Sequence, residues 1–389
     1  MRLGLPEPLS LLVRKRFTAA KESGGLVFSA TQLAVLSASG IQYQLRYCPA
    51  LAKKPNATAK QLPQEPKHSN NNNATNKHDK KPDPFENPSE DLFIADIPFH
   101  PSASDRQQQG KRGPSHILVL NKFPVIPNHF ILATKSFRPQ TDILEKDDLE
   151  VTFACLREWR GEDLDIQDDD REKRHQKGAA ASSGRRLFAF FNSGEESGAS
   201  QPHRHLQFLP VEDMRGQELS SSSSSSSSSF SASSWVPLID RVSTAEAIVS
   251  HSAFRELPGL PFKHFALLLP EDPSAEFLHN AYLSLYQAAV AADAGTTSSN
   301  REDVQTSGPA AISYNFAMTE SAMMICPRKS ETAQLQLQKE KSDSAISLNG
   351  TILAGTLMVK QEPEWDELCS APEKLDSLLA AVGIATVSS

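Results

Sequence analysis

Three polar, low-complexity tracts divide this 389-residue chain, and they limit how much of it can form a core. The first runs from Pro55 to Pro82 around SNNNNATNKHDKK. The second runs from Gly161 to Gly184, and the third from Ser220 to Ser234, with ten consecutive serines. Each is poor in large apolar residues, so burial cannot offset the entropy of ordering it. They read as surface insertions in a folded framework. The remainder is longer than one hydrophobic core usually organises. Two halves are therefore expected, residues 1–219 and residues 235–389, with the serine-rich stretch 220–234 as linker.

Composition excludes some functions. The net charge of -7 gives no global electrostatic case for binding nucleic acid or an anionic membrane, although one cleft can still be basic. Cys48, Cys155, Cys326 and Cys369 form no CxxC pair, which argues against a zinc ribbon or a disulfide scaffold and for free thiols in a reducing compartment. The expected location is the cytoplasm, with the nucleus as a second compartment. The longest apolar runs, such as FALLLP at Phe265–Pro270, are too short to span a bilayer. Leu9, Leu12, Val13, Phe17 and Ala20 repeat at helical spacing ahead of SGG, which would stop a helix. Arg14, Lys15 and Arg16 also suit a mitochondrial presequence, but Glu7 and Glu22 oppose that, and a first structural helix is the expectation.

Between the tracts lie strand-like segments rich in apolar and β-branched residues. HILVLNKFPVIPNHFILATK at His116–Lys135 reads as two strands joined at Pro124–Asn128. Arg185–Gly194, His203–Glu212, Ala311–Thr319, Ala322–Lys329 and Gly350–Lys360 read as further strands. Helices are expected at Asp147–Arg160, Ser274–Ala292 and Trp365–Val382. Hairpins with helices between them predict an α+β fold: two related half-domains with antiparallel sheets and flanking helices. PVIPNHFILATK and AMMICPRK share an outline, an apolar strand running into a Pro- or Lys-bearing end, and suggest a weak internal repeat.

The chemistry concentrates in NSGEESGASQPHRHLQFLP, Asn192–Pro210. On a strand, side chains alternate faces, so His203, His205 and Gln207 share one face and Arg204, Leu206 and Phe208 the other. The polar triplet follows a loop in which Gly194 and Gly198 allow close backbone approach and Ser193, Ser197 and Ser200 add hydroxyls. Successive N–H groups in such loops form anion nests. Three readings compete. A metal site would need further ligands, such as His251 or His264, and no HExxH or CxxC supplies them. The histidines could instead be satisfied structural groups. The third reading is nucleophilic catalysis, in which an imidazole nitrogen attacks phosphorus and holds a nucleotidyl group. Imidazole suits this, being largely neutral near pH 7.

SGASQPHRHLQFLP resembles the H-x-H-x-Q transferase branch of the histidine triad superfamily. More closely, the chain resembles the fungal diadenosine tetraphosphate phosphorylases, also called ATP adenylyltransferases. The resemblance extends to LPEPLSLLVRKRFTAAKESGGLVF, RYCPALAKKP, DPFENPSEDLFIADI, HILVLNKFPVIPNHFILATK, LPFKHF, SYNFAMT and ICPRK, in that order. It covers most of the chain apart from the three tracts, which are not part of the shared framework.

The resemblance implies a histidine-triad-like fold and a reaction. Phosphate would cleave diadenosine tetraphosphate to ADP and ATP through a covalent adenylyl-histidine. His205 matches the nucleophile, His203 would orient it, and Gln207 would bind the α-phosphate. Asn192 matches a substrate-binding asparagine, and Gly198, Ala199, Ser200 and Gln201 match the phosphate loop. Lys54 matches a substrate-binding lysine, with Lys53 an adjacent competitor. Asp91 and Leu92 fall in the block of nucleoside contacts. In the C-terminal half, Asn315, Thr319, Met324 and Arg328 fall in the corresponding binding region. The implied partners are dinucleoside polyphosphate, ATP, ADP and inorganic phosphate, with the protein a monomer. No cofactor or metal site is implied; Mg²⁺ would travel with the polyphosphate. ADP formation from adenylyl sulfate is an implied side activity. The alternatives are a hexose-1-phosphate uridylyltransferase-like enzyme and a catalytically silent nucleotide sensor. A hydrolase of the superfamily would place a third histidine where Gln207 stands.

Overall fold

The structure, a computed structural model, describes residues 3–53, 83–98, 113–160, 185–216, 235–244, 254–296 and 305–386. The three polar tracts lie outside the described residues. Helix α1 spans Leu9–Ser23 and ends at Gly24, whose φ of 78° suits a residue without Cβ. A hairpin follows, β1 (Gln32–Ala38) and β2 (Ile41–Tyr47). Then come β3 (Phe93–Ile97), β4 (His116–Leu120), β5 (Phe130–Thr134), α2 (Lys146–Arg160), β6 (Leu187–Ser193), β7 (His205–Pro210) and the short α3 (Val211–Met214). The C-terminal half contributes β8 (Phe265–Leu268), α4 (Ala275–Asp293), β9 (Tyr314–Met318), β10 (Ala322–Pro327), the hairpin β11 (Thr332–Leu337) and β12 (Ser342–Ser347), β13 (Thr356–Val359), α5 (Glu362–Ser370) and α6 (Lys374–Val382). Among the described residues no helix is long and apolar enough to cross a membrane.

The fold is α+β with antiparallel sheet, as the segment pattern predicts. Its centre is one eight-stranded sheet in the order β3-β4-β5-β7-β6-β9-β10-β8, every neighbour antiparallel. The two halves join at β6 and β9, with Phe191 opposite Phe316 and Asn192 opposite Asn315. The chain order strand–helix–strand–strand occurs twice, as β5-α2-β6-β7 and β8-α4-β9-β10, and the sheet order is palindromic about the junction. This corrects the suggested repeat of PVIPNHFILATK with AMMICPRK. The topological counterpart of β5 is β8, and that of β10 is β7; two apolar strands with similar ends need not be equivalent. A separate sheet, β1-β2-β13, contains the one parallel pairing among the described strands, β13 with β2.

Two other expectations need revision. Trp365–Val382 is not one helix but two, because Pro372 follows the end of α5 and has no N–H to continue it. Gly350–Lys360 begins as a 3₁₀ turn, Gly350–Ala354, with Asn349 Oδ1 accepting from Thr351 N at 3.1 Å; β13 starts only after Gly355.

Alternation along the strands sorts side chains onto two faces. One face packs against α1, α2 and α4 through Phe17, Trp159, Phe130, Phe208, Phe316 and Tyr282. Phe130 stacks on Phe208 with centroids 4.8 Å apart and planes 4° apart. The other face carries two apolar patches. Phe190, Ala317 and Met324 pack against β2, α6 and their neighbours. Phe85, Ile117, Val119, Ile131 and Ala133 form a smaller patch over β4 and β5. Strand β7 runs between these patches, with Leu209 buried in the first and His205 and Gln207 at the gap between them.

Because Phe208 is fully buried in an aromatic stack, Phe208→Ala is expected to lower stability by about 3–5 kcal/mol. Urea unfolding of the two proteins measures this, and a loss below about 1 kcal/mol would contradict the packing described.

Candidate functional site

The H-x-H-x-Q stretch sits where alternation predicts. Leu206 and Phe208 enter the helix-side core. Arg204 is buried on that side too; its Nη1 donates to Asp148 Oδ2 at 2.8 Å and to Glu145 Oε1 at 3.3 Å. Burial would raise the Asp148 carboxyl, but the His116 hydrogen bond and the Arg204 charge outweigh it and hold the group below its ordinary value. The motif strand is thus fixed from behind by an ion-paired cluster, and His203, His205 and Gln207 face the opposite way.

His205 is 4% exposed. Its Nδ1 donates to the His203 carbonyl at 2.8 Å, which leaves the Nε2 lone pair free. Burial lowers its pKa to about 4, against the raising effect of that hydrogen bond. The imidazole is therefore neutral and in one tautomer at pH 7, the form a nucleophile requires. His203 orients it through this backbone carbonyl and not through its ring. The His203 ring turns away: Nδ1 donates to Asp83 Oδ2 at 2.7 Å, and Nε2 lies 2.8 Å from the Thr134 carbonyl. Phe85 packs on both rings, 5.1 Å from His205 and 5.6 Å from His203 between centroids. Gln207 is partly exposed, and its amide has no partner among the described residues.

Asn192 and Asn315 lie on the same face as His205, directly opposite one another across the β6–β9 junction. Asn192 Oδ1 accepts from Asn315 Nδ2 and from Gly350 N, both at 2.9 Å. Asn315 Nδ2 also donates to Ser197 O at 2.9 Å, which ties down the glycine loop. Gly198 is required twice over. Its φ is 78°, and a Cβ there would lie 2.9 Å from the Leu348 carbonyl. After it, the backbone N–H groups of Gly198, Ala199, Ser200 and Gln201 donate to no acceptor among the described residues. Successive free N–H groups beside a neutral imidazole suit an anion.

The other expected residues divide. Arg328 is buried and held by protein oxygens: it donates to Asn315 Oδ1, Val382 O, Ser330 O and Leu348 O. Burial also lowers its pKa. Met324 is fully buried in the apolar core, so its expected ligand contact is corrected to packing. Thr319 lies at the far end of the sheet strands, lining a separate cavity of about 250 Å³ with Arg186, Asp240 and Glu320. It too is not brought to His205. Asp91 is exposed and accepts from Ser23 Oγ at 3.2 Å, while Leu92 packs on the helix-side core. Both precede β3, which strands β4 and β5 separate from β7. Lys54 lies outside the described residues, and so does His251; Lys53 ends the 3₁₀ turn Pro49–Lys53. His264 does not approach the motif: its Nε2 accepts from Leu257 N at 2.8 Å.

Four contacts went unforeseen, those of Asp83, Phe85, Thr134 and Gln140 with the motif. None carries a local sequence signal, because each acts across 65 residues or more. A cavity of about 520 Å³ adjoins Phe85, lined by Arg16, Asn87, Phe93, Asp96, Ile117 and Lys135 among others. Among the described residues no group of three or more His, Cys, Asp or Glu is placed to hold a metal ion. All four cysteines are free thiols.

Fold and site together define a protein that sets a neutral, oriented imidazole beside an anion-accepting loop. Comparison with known proteins narrows this. Residues 3–164 and 179–220, just over half of the chain, match the family described as Ap4A phosphorylase N-terminal domain, and residues 258–385 match the ATP adenylyltransferase C-terminal domain. The chain belongs to the Ap4A phosphorylase family. It is 27% identical to diadenosine 5',5'''-P1,P4-tetraphosphate phosphorylase 2 of Saccharomyces cerevisiae, covering 97% of this chain and 95% of that protein. Protein APA1 of the same yeast is 24% identical, covering 99% and 97%. The crystal structure of yeast Ap4A phosphorylase Apa2 in complex with Ap4A shares the fold. Its TM-score is 0.67 at 22% identity, covering 99% of this chain and all of that one.

The His205 pKa has a consequence for stability. An unfolded histidine titrates near 6.5, so between about pH 6.5 and 4 the unfolded chain takes up a proton that native His205 refuses. Its contribution to stability is complete above that window and is lost as pH falls through it. Urea midpoints at pH 7.5 and pH 5 should therefore fall further for wild type than for His205→Asn; an equal fall would show that His205 is not held neutral.

Proposed function

We propose that the protein phosphorolyses diadenosine tetraphosphate with inorganic phosphate, giving ADP and ATP through an adenylyl group held on His205. The observation that carries this reading is the His205 imidazole itself, neutral, with Nδ1 bound to the His203 carbonyl and Nε2 free. Family membership and the printed name of the yeast phosphorylase support it.

In the first displacement, Nε2 attacks an α-phosphorus, a P–N bond forms, the bond to the bridging oxygen breaks, and ATP leaves. No proton is lost from Nε2, because the ring proton is on Nδ1, and the His203 carbonyl that accepts from Nδ1 stabilises the positive charge growing on the ring. In the second, a phosphate oxygen attacks the same phosphorus, the P–N bond breaks, and ADP leaves. The Gly198–Gln201 amides would hold the polyphosphate, and the unpartnered Gln207 amide would donate to a non-bridging α-oxygen as charge accumulates there. The Phe85-lined cavity has room for a nucleoside end. Mg²⁺ would arrive on the polyphosphate, with no protein group assigned to it. Adenylyl sulfate is a second donor on the same chemistry, with sulfate leaving.

The test uses diadenosine tetraphosphate labelled at the α-phosphate, without inorganic phosphate. Wild type is expected to carry acid-labile, base-stable label, and His205→Ala none. Adding phosphate should release labelled ADP. Gln207→Ala should slow labelling by about 10²–10³-fold. An unlabelled wild type, or equal labelling of His205→Ala, would overturn the mechanism; release of AMP alone would make the protein a hydrolase.

A further inference from the structure

The β6–β7 ladder stops short at the site. Its paired register runs from Leu187 opposite Pro210 to Phe190 opposite Gln207. Two residues further on, the same register would set Asn192 directly opposite His205. At that point the side chain of Gln140 intervenes. Its Nε2 donates to the Asn192 carbonyl at 2.8 Å and to the His205 carbonyl at 3.2 Å, while its Oε1 accepts from His205 N at 2.7 Å. A side-chain amide thus stands in for a strand peptide between the two backbones. Gln140 is 3% exposed, and its own backbone is anchored, with Gln140 N donating to Pro202 O at 2.8 Å and Arg204 N donating to Arg138 O at 2.7 Å.

The geometric consequence concerns phosphorus. Opposed residues in an unbroken antiparallel pair have Cα atoms about 4.5–5.5 Å apart. In-line attack on a phosphoryl group needs the attacking atom about 3–3.5 Å from phosphorus, with three equatorial oxygens between the attacking and leaving atoms. An imidazole and an asparagine at ladder spacing leave no such room. An inserted amide that bonds both strands opens the gap and makes its width rigid.

We propose that Gln140 is a positioning residue for the transfer step: its amide replaces the ladder between Asn192 and His205 and fixes their separation for the α-phosphate. This rests on the adenylyl-transfer reading above. It assigns Gln140 no contact with substrate; the residue acts through the His205 and Asn192 backbones.

The test is single-turnover labelling with α-labelled diadenosine tetraphosphate, reading the rate constant and the amplitude separately, on full-length wild type, Gln140→Met and Gln140→Glu. Gln140→Met keeps the side-chain length and loses all three hydrogen bonds. Its rate constant should fall about 100-fold, the scale expected of a misplacement near 1 Å, while KM changes by less than about 3-fold. Gln140→Glu keeps an acceptor for His205 N but sets a carboxylate against two carbonyls. Burial raises such a carboxyl, and protonation restores one donor, so its rate relative to wild type should rise as pH falls from 8 to 6. His205 stays neutral across that range. A reduced amplitude at unchanged rate constant would mean that Gln140 only supports folding, and would overturn the proposal. If Gln140→Met does not fold, the pH profile of Gln140→Glu decides, and a profile parallel to wild type overturns it. Wild type that takes no label on His205 would instead sink the transfer reading, which keeps the two failures distinct.

Discussion

The site depends on the antiparallel pairing of β6 with β9. This pairing makes one sheet from two halves and brings Asn315 beside Asn192. A single amide oxygen, Asn192 Oδ1, then receives hydrogen bonds from both Asn315 and Gly350, so the side chain of a residue in the N-terminal half is oriented by the C-terminal half. Arg328 is the fastener behind it. Its guanidinium reaches four oxygens contributed by Asn315, Val382, Ser330 and Leu348, none of them a carboxylate. A buried cation with neutral acceptors is tolerated when most of its N–H groups are directed at oxygen, and here four of the five are. Truncating it would therefore leave several carbonyls unpaired at once, and Arg328 is better understood as holding the site's far wall than as a phosphate ligand.

The same division of labour holds on the motif strand. Arg204 and the histidines are neighbours in sequence but opposite in role. Arg204 faces inward to Asp148, in a cluster that also includes His116. A buried charge left unpaired would be strongly destabilising; here it is paired with a carboxylate that is itself held ionised. The arrangement pins the backbone from which His205 projects. Period two makes this possible, since a strand can bury one face as structure and keep the other free for chemistry.

How much of this the sequence discloses depends on the range of each interaction. The alternation of His203, His205 and Gln207 with Arg204, Leu206 and Phe208 is local, and the structure follows it. The glycine loop is also local. Strand β11 is legible by the same rule, since Ala333, Leu335 and Leu337 are buried and Gln334 and Gln336 exposed. Strand β8 has four residues, too few for a pattern to emerge. The helix break at Pro372 carried a clear signal, masked by apolar helical spacing on both sides. What could not be read is what crosses the chain. Asp83 meets His203 across 120 residues, and Gln140 meets His205 across 65. Met324 and Thr319 fail as ligand contacts for the complementary reason: neighbours on one strand motif point to different faces and ends, and only the sheet fixes which end is the site.

Gln207 takes its meaning from what surrounds it. In the transfer reading, an adenylyl-histidine persists only if water is not activated against it. Activation of water needs a group that accepts a proton near neutral pH. The amide of Gln207 has no such ionisation and offers the phosphate only donors. His203, the other imidazole of the stretch, is turned to Asp83 and Thr134 and so is not presented to the same space. Phe85 and the apolar patch around Ile117 and Ala133 cover the approach on the β5 side. With no general base facing His205 among the described motif residues, the proposed reading requires that an incoming phosphate, and not water, take up the nucleotidyl group.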